Sequence, residues 1–479
     1  MLRANTSKAQ AVRHSAVTDE FGEINPITFD RVEHLNISDI QIRSGNPRLH
    51  SEKSVDAIAR AVASTRVMIP LVIAANNVLV TGEGRLAAAK LLGLKTVPVL
   101  RAEDLTEPQI QALRVADNRV GEKSQWDEQV LAVALKDLSE MDLGFNIENI
   151  GFDHAEIDVR ITGLGGVIDA AEDPADQLPD VGAVAVTRPD DVWMLGKHRV
   201  TCGSALENIT YERLMAGAKA HMSIQDAPYN VSVTKHVGGM GNIKHREFAM
   251  ATGEMTEAQF ANFLAEELKL ASAHCILGAI VMAFMDWRGI DKLIGAGKLE
   301  GLELINLCVW NKSNASMGSL YRSKHELLAV FKKPGAPHRN NVQLGSYGRY
   351  RTNVWDAPGC NSFGKNRMEE LASHPTVKPA QLIADAIRDV SNRGEIVLDS
   401  FLGSGTTVIA AERTGRVAYG IELDPLYVDT AVRRWQDFTG RAAVLENTGE
   451  TFAETAAACA DAGPTTISPR PRKRVQSPA

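Results

Sequence analysis

Apolar positions along the 479 residues keep different rhythms in different stretches. Residues 1–34 are mostly polar and aperiodic, which predicts a flexible arm. Next, "VDAIARAVAS" (55–64) repeats its apolar residues at helical spacing. "PLVIAANNVLVTG" (70–82) reads as two short strands around Asn76 and Asn77, and "GRLAAAKLLG" (84–93) as a helix closed by Gly93. "KTVPVLRA" (95–102) returns to strand, and residues 105–160 are mostly helical in pattern. These elements predict a smaller α+β domain over 35–160.

Residues 161–191 lose the periodicity and collect Gly, Pro and Asp, which predicts an acidic linker. From "DVWMLGKHRVTCG" (191–203) onward, strands and helices alternate to about 438. Such alternation predicts an α/β architecture over 192–450, with a largely parallel sheet and helices on both faces. The end, 451–479, contains "PRPRKR" and is expected to be a disordered basic tail.

Composition narrows the function only a little. Hydrophobic residues make up 44% and charged residues 23%, as in ordinary globular chains. No apolar run reaches the roughly 20 residues of a membrane helix, and the N-terminus lacks a signal-peptide core, so a cytoplasmic protein with no membrane partner is expected. The five cysteines are scattered without CxxC, which suggests neither a disulfide framework nor a metal site. A net charge of −7 argues against nucleic acid only weakly, because a basic strip on one face is what counts.

Chemistry enters at "EIVLDSFLGSGTTVIAAERTGRVAYGIELDP" (395–425). An apolar strand ends at Asp399, and a turn carrying Gly403 and Gly405 leads into a helix closed by Gly415. The next strand then carries Glu422 near its end. This layout suits a nucleoside whose ribose hydroxyls meet the acid. The turn has no GxGxxG and no GxxxxGK[ST], so a dinucleotide and a P-loop triphosphate are disfavoured.

"LDSFLGSGTT" with "GIELDP" resembles the cofactor motif of S-adenosylmethionine-dependent DNA methyltransferases. "DAPY" (226–229) resembles their D-P-P-Y catalytic motif, and "HPTVKP" (374–379) the segment that precedes the glycine turn in the circularly permuted beta class. The order of the three motifs matches that class, and the resemblance covers about 190–440. It implies a Rossmann-like methyltransferase sheet and S-adenosylmethionine as cofactor. The implied contacts to it are Asp399, Phe401, Gly403, Gly405, Thr406, Glu422 and Lys378. It also implies methylation of an exocyclic amine held by the Asp226 carboxylate and the Ala227 carbonyl, with Pro228 stiffening the turn and Tyr229 stacking on a flipped base. Absence of any Pro-Cys dipeptide argues against ring-carbon methylation of cytosine. Two positions depart from the family: Ala227 stands where it usually has proline, and Ser204 where it commonly has aspartate.

The stretch of about 235–360 lies where the family places target recognition. Lys312, Arg322, Arg339, Arg349 and Arg351, with aromatic neighbours, are the expected contacts to double-stranded DNA. "VLVTGEGRLAAAKLLGLKTVPV" (78–99) resembles the ParB-like domain, with Gly84 in place of a family arginine. The resemblances together imply a DNA adenine-N6 methyltransferase. Cytosine-N4 methylation and a DNA-binding partition protein with a decayed methyltransferase domain are the alternatives, and a homodimer is left open.

Overall fold

The computed structural model describes residues 31–43, 48–103, 105–163, 173–179, 181–182, 184–230, 253–313, 315, 320–346, 350–358 and 377–461. Residues 1–30, the whole stretch 231–252, Arg349 and the basic end of the chain lie outside these. The chain divides into two compact units, 1–153 and 154–479.

In the first unit, strands β1 (Glu33–Asn36), β2 (Leu71–Ile73), β3 (Leu79–Thr81) and β4 (Thr96–Arg101) form one sheet in the order β1-β4-β2-β3. Helices α1 (Glu52–Thr65), α2 (Glu83–Leu91), α3 (Glu107–Lys123) and α4 (Glu128–Glu140) accompany it. The β2–β3 hairpin turns at Asn76 and Asn77, with φ of 58° and 57°. Asparagine tolerates this left-handed region better than other residues with a Cβ. Leu71, Ile73, Leu86, Val97 and Val99 close the small core.

The second unit begins with α5 (His154–Gly163), earlier than the sequence pattern places the boundary. The reason is electrostatic. Asp158 of α5 is buried and accepts from Arg416 at 2.7 and 3.1 Å and from Arg393 at 2.9 Å. The expected linker also differs over its described residues. Asp173 takes Arg413 in a two-bond fork at 2.6 and 2.7 Å, and the carboxylate of Asp429 accepts from the backbone of Val186 and Thr187 at 2.7 and 3.0 Å. The stretch is therefore tied to the second unit's own helices through Asp173 and through the backbone of Val186 and Thr187.

Ten strands build the main sheet: β5 (Val192–Leu195), β6 (His198–Cys202), β7 (Ala220–Gln225), β8 (Cys275–Met285), β9 (Glu303–Asn311), β10 (His325–Lys332), β11 (Val354–Asp356), β12 (Ile396–Asp399), β13 (Val417–Glu422) and β14 (Val444–Leu445). Their order is β11-β9-β10-β8-β7-β12-β13-β6-β5-β14. The central block β8-β7-β12-β13-β6 is parallel, as the alternation predicts. Its flanks are antiparallel where β10 joins β8 and β9, and where β5 joins β6 and β14, so the sheet is mixed.

Helices cover both faces, and period-2 alternation shows which residues meet which helix. On β8, Ile280, Met282 and Phe284 pack with α9 (Ala380–Val390). The intervening Val281, Ala283 and Met285 pack with α7 (Glu257–Ala273) and α8 (Ile290–Leu299). The remaining helices are α6 (Asn208–Met215), α10 (Thr406–Thr414), α11 (Pro425–Thr439) and α12 (Phe452–Asp461). The last lies where a disordered tail was expected. Its Phe452 is buried, with its ring edge-on to Trp193 at 5.2 Å, which gives this short helix an anchor.

Candidate active site

β7 and β12 are far apart in the chain but neighbours in the sheet, with Met222 opposite Val397 and Ser223 opposite Leu398. Both strands run in the same direction, so the 226–229 turn and the glycine turn emerge side by side at their carboxyl ends. In parallel α/β sheets this edge is where ligands bind.

Around the first turn the structure gathers four ionisable groups and a phenol. Tyr229 donates its hydroxyl to Asp226 Oδ1 at 2.7 Å. Lys378 Nζ lies 2.5 Å from Asp226 Oδ2 and 3.2 Å from Glu326 Oε2. Glu326 Oε2 is also 3.1 Å from the Tyr229 hydroxyl, and its Oε1 pairs with Lys312. The Lys378 ammonium sits over the Phe284 ring at 4.5 Å, with the Tyr229 and Trp310 centroids each at 5.9 Å. Burial disfavours the ammonium, but the carboxylates of Asp226 and Glu326 outweigh it and hold its pKa above the ordinary value. Burial pushes the Glu326 carboxyl up, yet Lys378 and Lys312 overcome this and hold it well below the carboxylate range. Burial, followed by the two nearby carboxylates, raises the Tyr229 phenol, so it stays a donor at neutral pH.

The second turn is organised by Glu422 and Asp399. Glu422 accepts from Gly403 N and Asp424 N at 2.8 Å each, and Gly403 has φ +54° with open space where a Cβ would stand. Burial pushes Glu422 up to about 7 despite those bonds. Asp399 accepts from Phe401 N at 3.0 Å and from Thr407 Oγ1 at 2.6 Å, and burial lifts it to about 6. An open backbone turn beside two acids fits a nucleoside with ribose hydroxyls. Gly405 has another purpose. A Cβ there would come within 2.8 Å of Ala431 Cβ, so this glycine lets α10 pack on α11. Thr406 Oγ1 accepts from Arg434 at 3.0 Å, and Phe401 packs at 6.0 Å on Phe263. Ser204 leads into the turn before α6, where its hydroxyl accepts from Leu206 N at 3.2 Å, and Gly203 N bonds to Glu422 O at 2.9 Å. Position 204 is therefore next to the acid of the second turn.

The residues proposed from sequence distribute unevenly over this geometry. Lys378, expected among the cofactor contacts, is clamped instead by the carboxylates at Asp226. Lys312, expected on DNA, is committed to Glu326 in the same cluster. Arg339 pairs with Glu395; Arg351 reaches Asp389 at 2.6 Å and lies over Trp355 at 4.5 Å. Arg322 donates to Ala315 O at 2.6 Å, and Arg349 is outside the described residues.

Two acids escaped the sequence reading. Glu326 lies in an ordinary strand pattern, "HELLAVF", with nothing local to mark it. Glu267 of α7 is buried and accepts from Gln225 Nε2 at 3.0 Å, one residue before Asp226. Burial pushes this carboxyl up to about 8. An acid on the apolar stripe of α7 is the signal that could have found it.

Comparison with known proteins gives the arrangement a family. The DNA methylase family model matches residues 220–433. Residues 220–433 belong to that family. The ParB N-terminal domain model matches 23–118, and that of the ParB-methyltransferase HTH domain matches 129–189. The type II methyltransferase M.ScaI of Streptomyces caespitosus is 35% identical over 103 residues, which are 22% of this chain and 34% of that protein. The DNA adenine methyltransferase YhdJ of Escherichia coli K12 is 37% identical over 112 residues, 23% of this chain and 34% of that protein. The chain thus spans about a third of the length of these curated relatives. Among solved structures, the M1.HpyAVI–SAM complex is 22% identical, covering 49% of this chain and 97% of its own, with a TM-score of 0.36.

In the first unit, a cavity is lined by Arg48, His50, Gly82, Arg85, Arg114 and Asp117, among others. A Cβ at Gly84 would come within 2.8 Å of the His50 ring, so the glycine in place of the family's arginine is matched by that histidine.

Proposed function

We propose that this chain transfers a methyl group from S-adenosylmethionine to the exocyclic N6 amino group of adenine in double-stranded DNA. The observation that carries the reading is the pairing of β7 with β12, which sets Asp226 and Tyr229 beside the glycine turn and its acids. S-adenosylmethionine supplies a sulfonium-activated methyl. Gly403, Glu422 and Asp399 are the residues that would hold its nucleoside part.

The protein's own task is to present the amine. An exocyclic amine is a poor nucleophile because its lone pair is shared with the ring. Asp226 accepts one N–H and the backbone carbonyl of Ala227 the other, which turns the lone pair toward the methyl. As the N–C bond forms, the S–C bonding pair returns to sulfur and the surplus amine proton leaves through Asp226 to solvent. Tyr229, which is only partly buried, offers a face for a base turned out of the duplex. Ala227 in place of proline keeps the carbonyl this scheme needs. Orientation and fixed charges do the catalytic work, with no covalent intermediate on the protein. The first unit, from its match to the ParB N-terminal domain, is read as an accessory DNA-binding module.

The test is incubation of purified protein with unmethylated DNA and methyl-labelled S-adenosylmethionine, followed by digestion to nucleosides. Label is expected in N6-methyladenine, and Asp226→Ala should abolish it while cofactor binding persists. Label in N4-methylcytosine would change the base only. No label and no cofactor binding would support the decayed-domain alternative.

A further inference from the structure

Asp226 has a conflict of duties. Its Oδ1 holds the Tyr229 proton and its Oδ2 faces the Lys378 ammonium at 2.5 Å, so each oxygen already has one of its two lone pairs engaged. Under the proposed function, on which this inference rests, one of them must accept an N–H of the target amine. An oxygen relieved of its first donor is the stronger acceptor for that amine.

Glu326 is placed to take those donors. Its Oε2 lies 3.1 Å from the Tyr229 hydroxyl and 3.2 Å from Lys378 Nζ, within hydrogen-bond reach of both. A phenol has a single proton and can satisfy one carboxylate at a time, whereas an ammonium has three. A small shift of either donor toward Glu326 therefore releases Asp226 without breaking the cluster. Lys312 on the opposite oxygen holds Glu326 in position for this, and the Phe284 and Trp310 rings lie beneath the Lys378 ammonium. The four charges, two carboxylates and two ammoniums, balance, so the exchange moves no net charge into the site.

We propose that Glu326 is a positioning residue of methyl transfer: it takes over the Tyr229 hydroxyl and the Lys378 ammonium, and so frees Asp226 to accept the incoming amino group. Glu326→Gln keeps the shape but cannot hold the ammonium as a charged partner. Lys378 should then stay on Asp226, and kcat should fall by about 100-fold, as for a misplaced reacting group. KM for DNA and cofactor affinity should stay near those of the unaltered protein, whereas Tm should fall because Lys312 and Lys378 lose a shared carboxylate. Lys378→Met removes the ammonium that must be moved, so adding Glu326→Gln in that background should cost less than about threefold.

The double-mutant cycle is the deciding measurement. Equal losses in both backgrounds would overturn the hand-over, because Glu326 would then act independently of Lys378. So would a kcat within twofold of the unaltered protein, or a joint loss of Tm and cofactor affinity, which would mean a merely structural ion pair. Absence of methylated nucleoside from the unaltered protein would instead sink the proposed function, and this inference with it.

Discussion

Gln225 and Glu267 meet at 3.0 Å beneath the strand end that carries Asp226. The contact places an acid in the core next to the 226–229 turn. Its burial holds the carboxyl protonated up to about pH 8. A carboxyl raised above its usual 4.5 favours the fold below that value, and this advantage is lost as pH rises through its folded pKa. Between pH 5 and 9, Glu267→Gln should therefore gain stability relative to the unaltered protein by a few kcal/mol. Denaturant melts of the two proteins at several pH values would show parallel curves if Glu267 were not buried as an acid.

Glu422 leads to a prediction about the cofactor. Under the proposed function it accepts ribose hydroxyls, and it must be ionised to offer all its lone pairs. With a pKa of about 7, it gains this form as pH rises through neutrality. S-adenosylmethionine should bind about tenfold more weakly at pH 6 than at pH 8. Glu422→Gln should bind weakly at both, and calorimetric titration of the two proteins separates these outcomes.

The two glycines of the cofactor turn should fail differently when changed to alanine. At Gly405, with φ +84°, the new Cβ meets Ala431 at 2.8 Å, so Gly405→Ala should lower Tm through overpacking of about 1–3 kcal/mol. At Gly403 the space is open and only the left-handed φ is penalised, at about 1–2 kcal/mol. Gly403→Ala should instead be the variant that loses cofactor affinity more than stability. Equal affinity losses would mean that both glycines face the ligand.

Asp158→Ala should be the most damaging change outside the site. It leaves Arg416, which is wholly buried, without its carboxylate at 2.7 Å. Breaking a buried ion pair from one side costs about 3–5 kcal/mol. A melt of the intact chain that lost less than 1 kcal/mol would mean the guanidinium finds other partners.

Much of this architecture was written in local patterns. The Asn76–Asn77 hairpin, the Gly93 helix stop and the strand–turn–helix of 395–415 each follow from residues adjacent in the chain, and the structure shows all three. The parallel core followed from alternation, but the antiparallel flanks did not. Strand direction depends on which distant segment pairs with β8, and no local rule encodes that. The site divides in the same way. Asp226, Tyr229, Asp399 and Glu422 sit in short motifs, whereas Glu326 acquires its meaning only when β10 is laid beside β8. Lys378 belonged to a motif, yet its partner was set by the fold.

The stretch between 173 and 191 bears on how the chain could be cut down. Asp176 caps α9 through Ala380 N at 2.7 Å, two residues after Lys378. Arg434 joins Ala175 O at 2.7 Å to Thr406 of the cofactor turn. Thr187 satisfies the fully buried Asp429. A protein engineer trimming the gene at the first sheet strand, residue 192, would discard three plugs along with what looks like spacer. The smallest autonomous fragment of the second unit should start no later than His154.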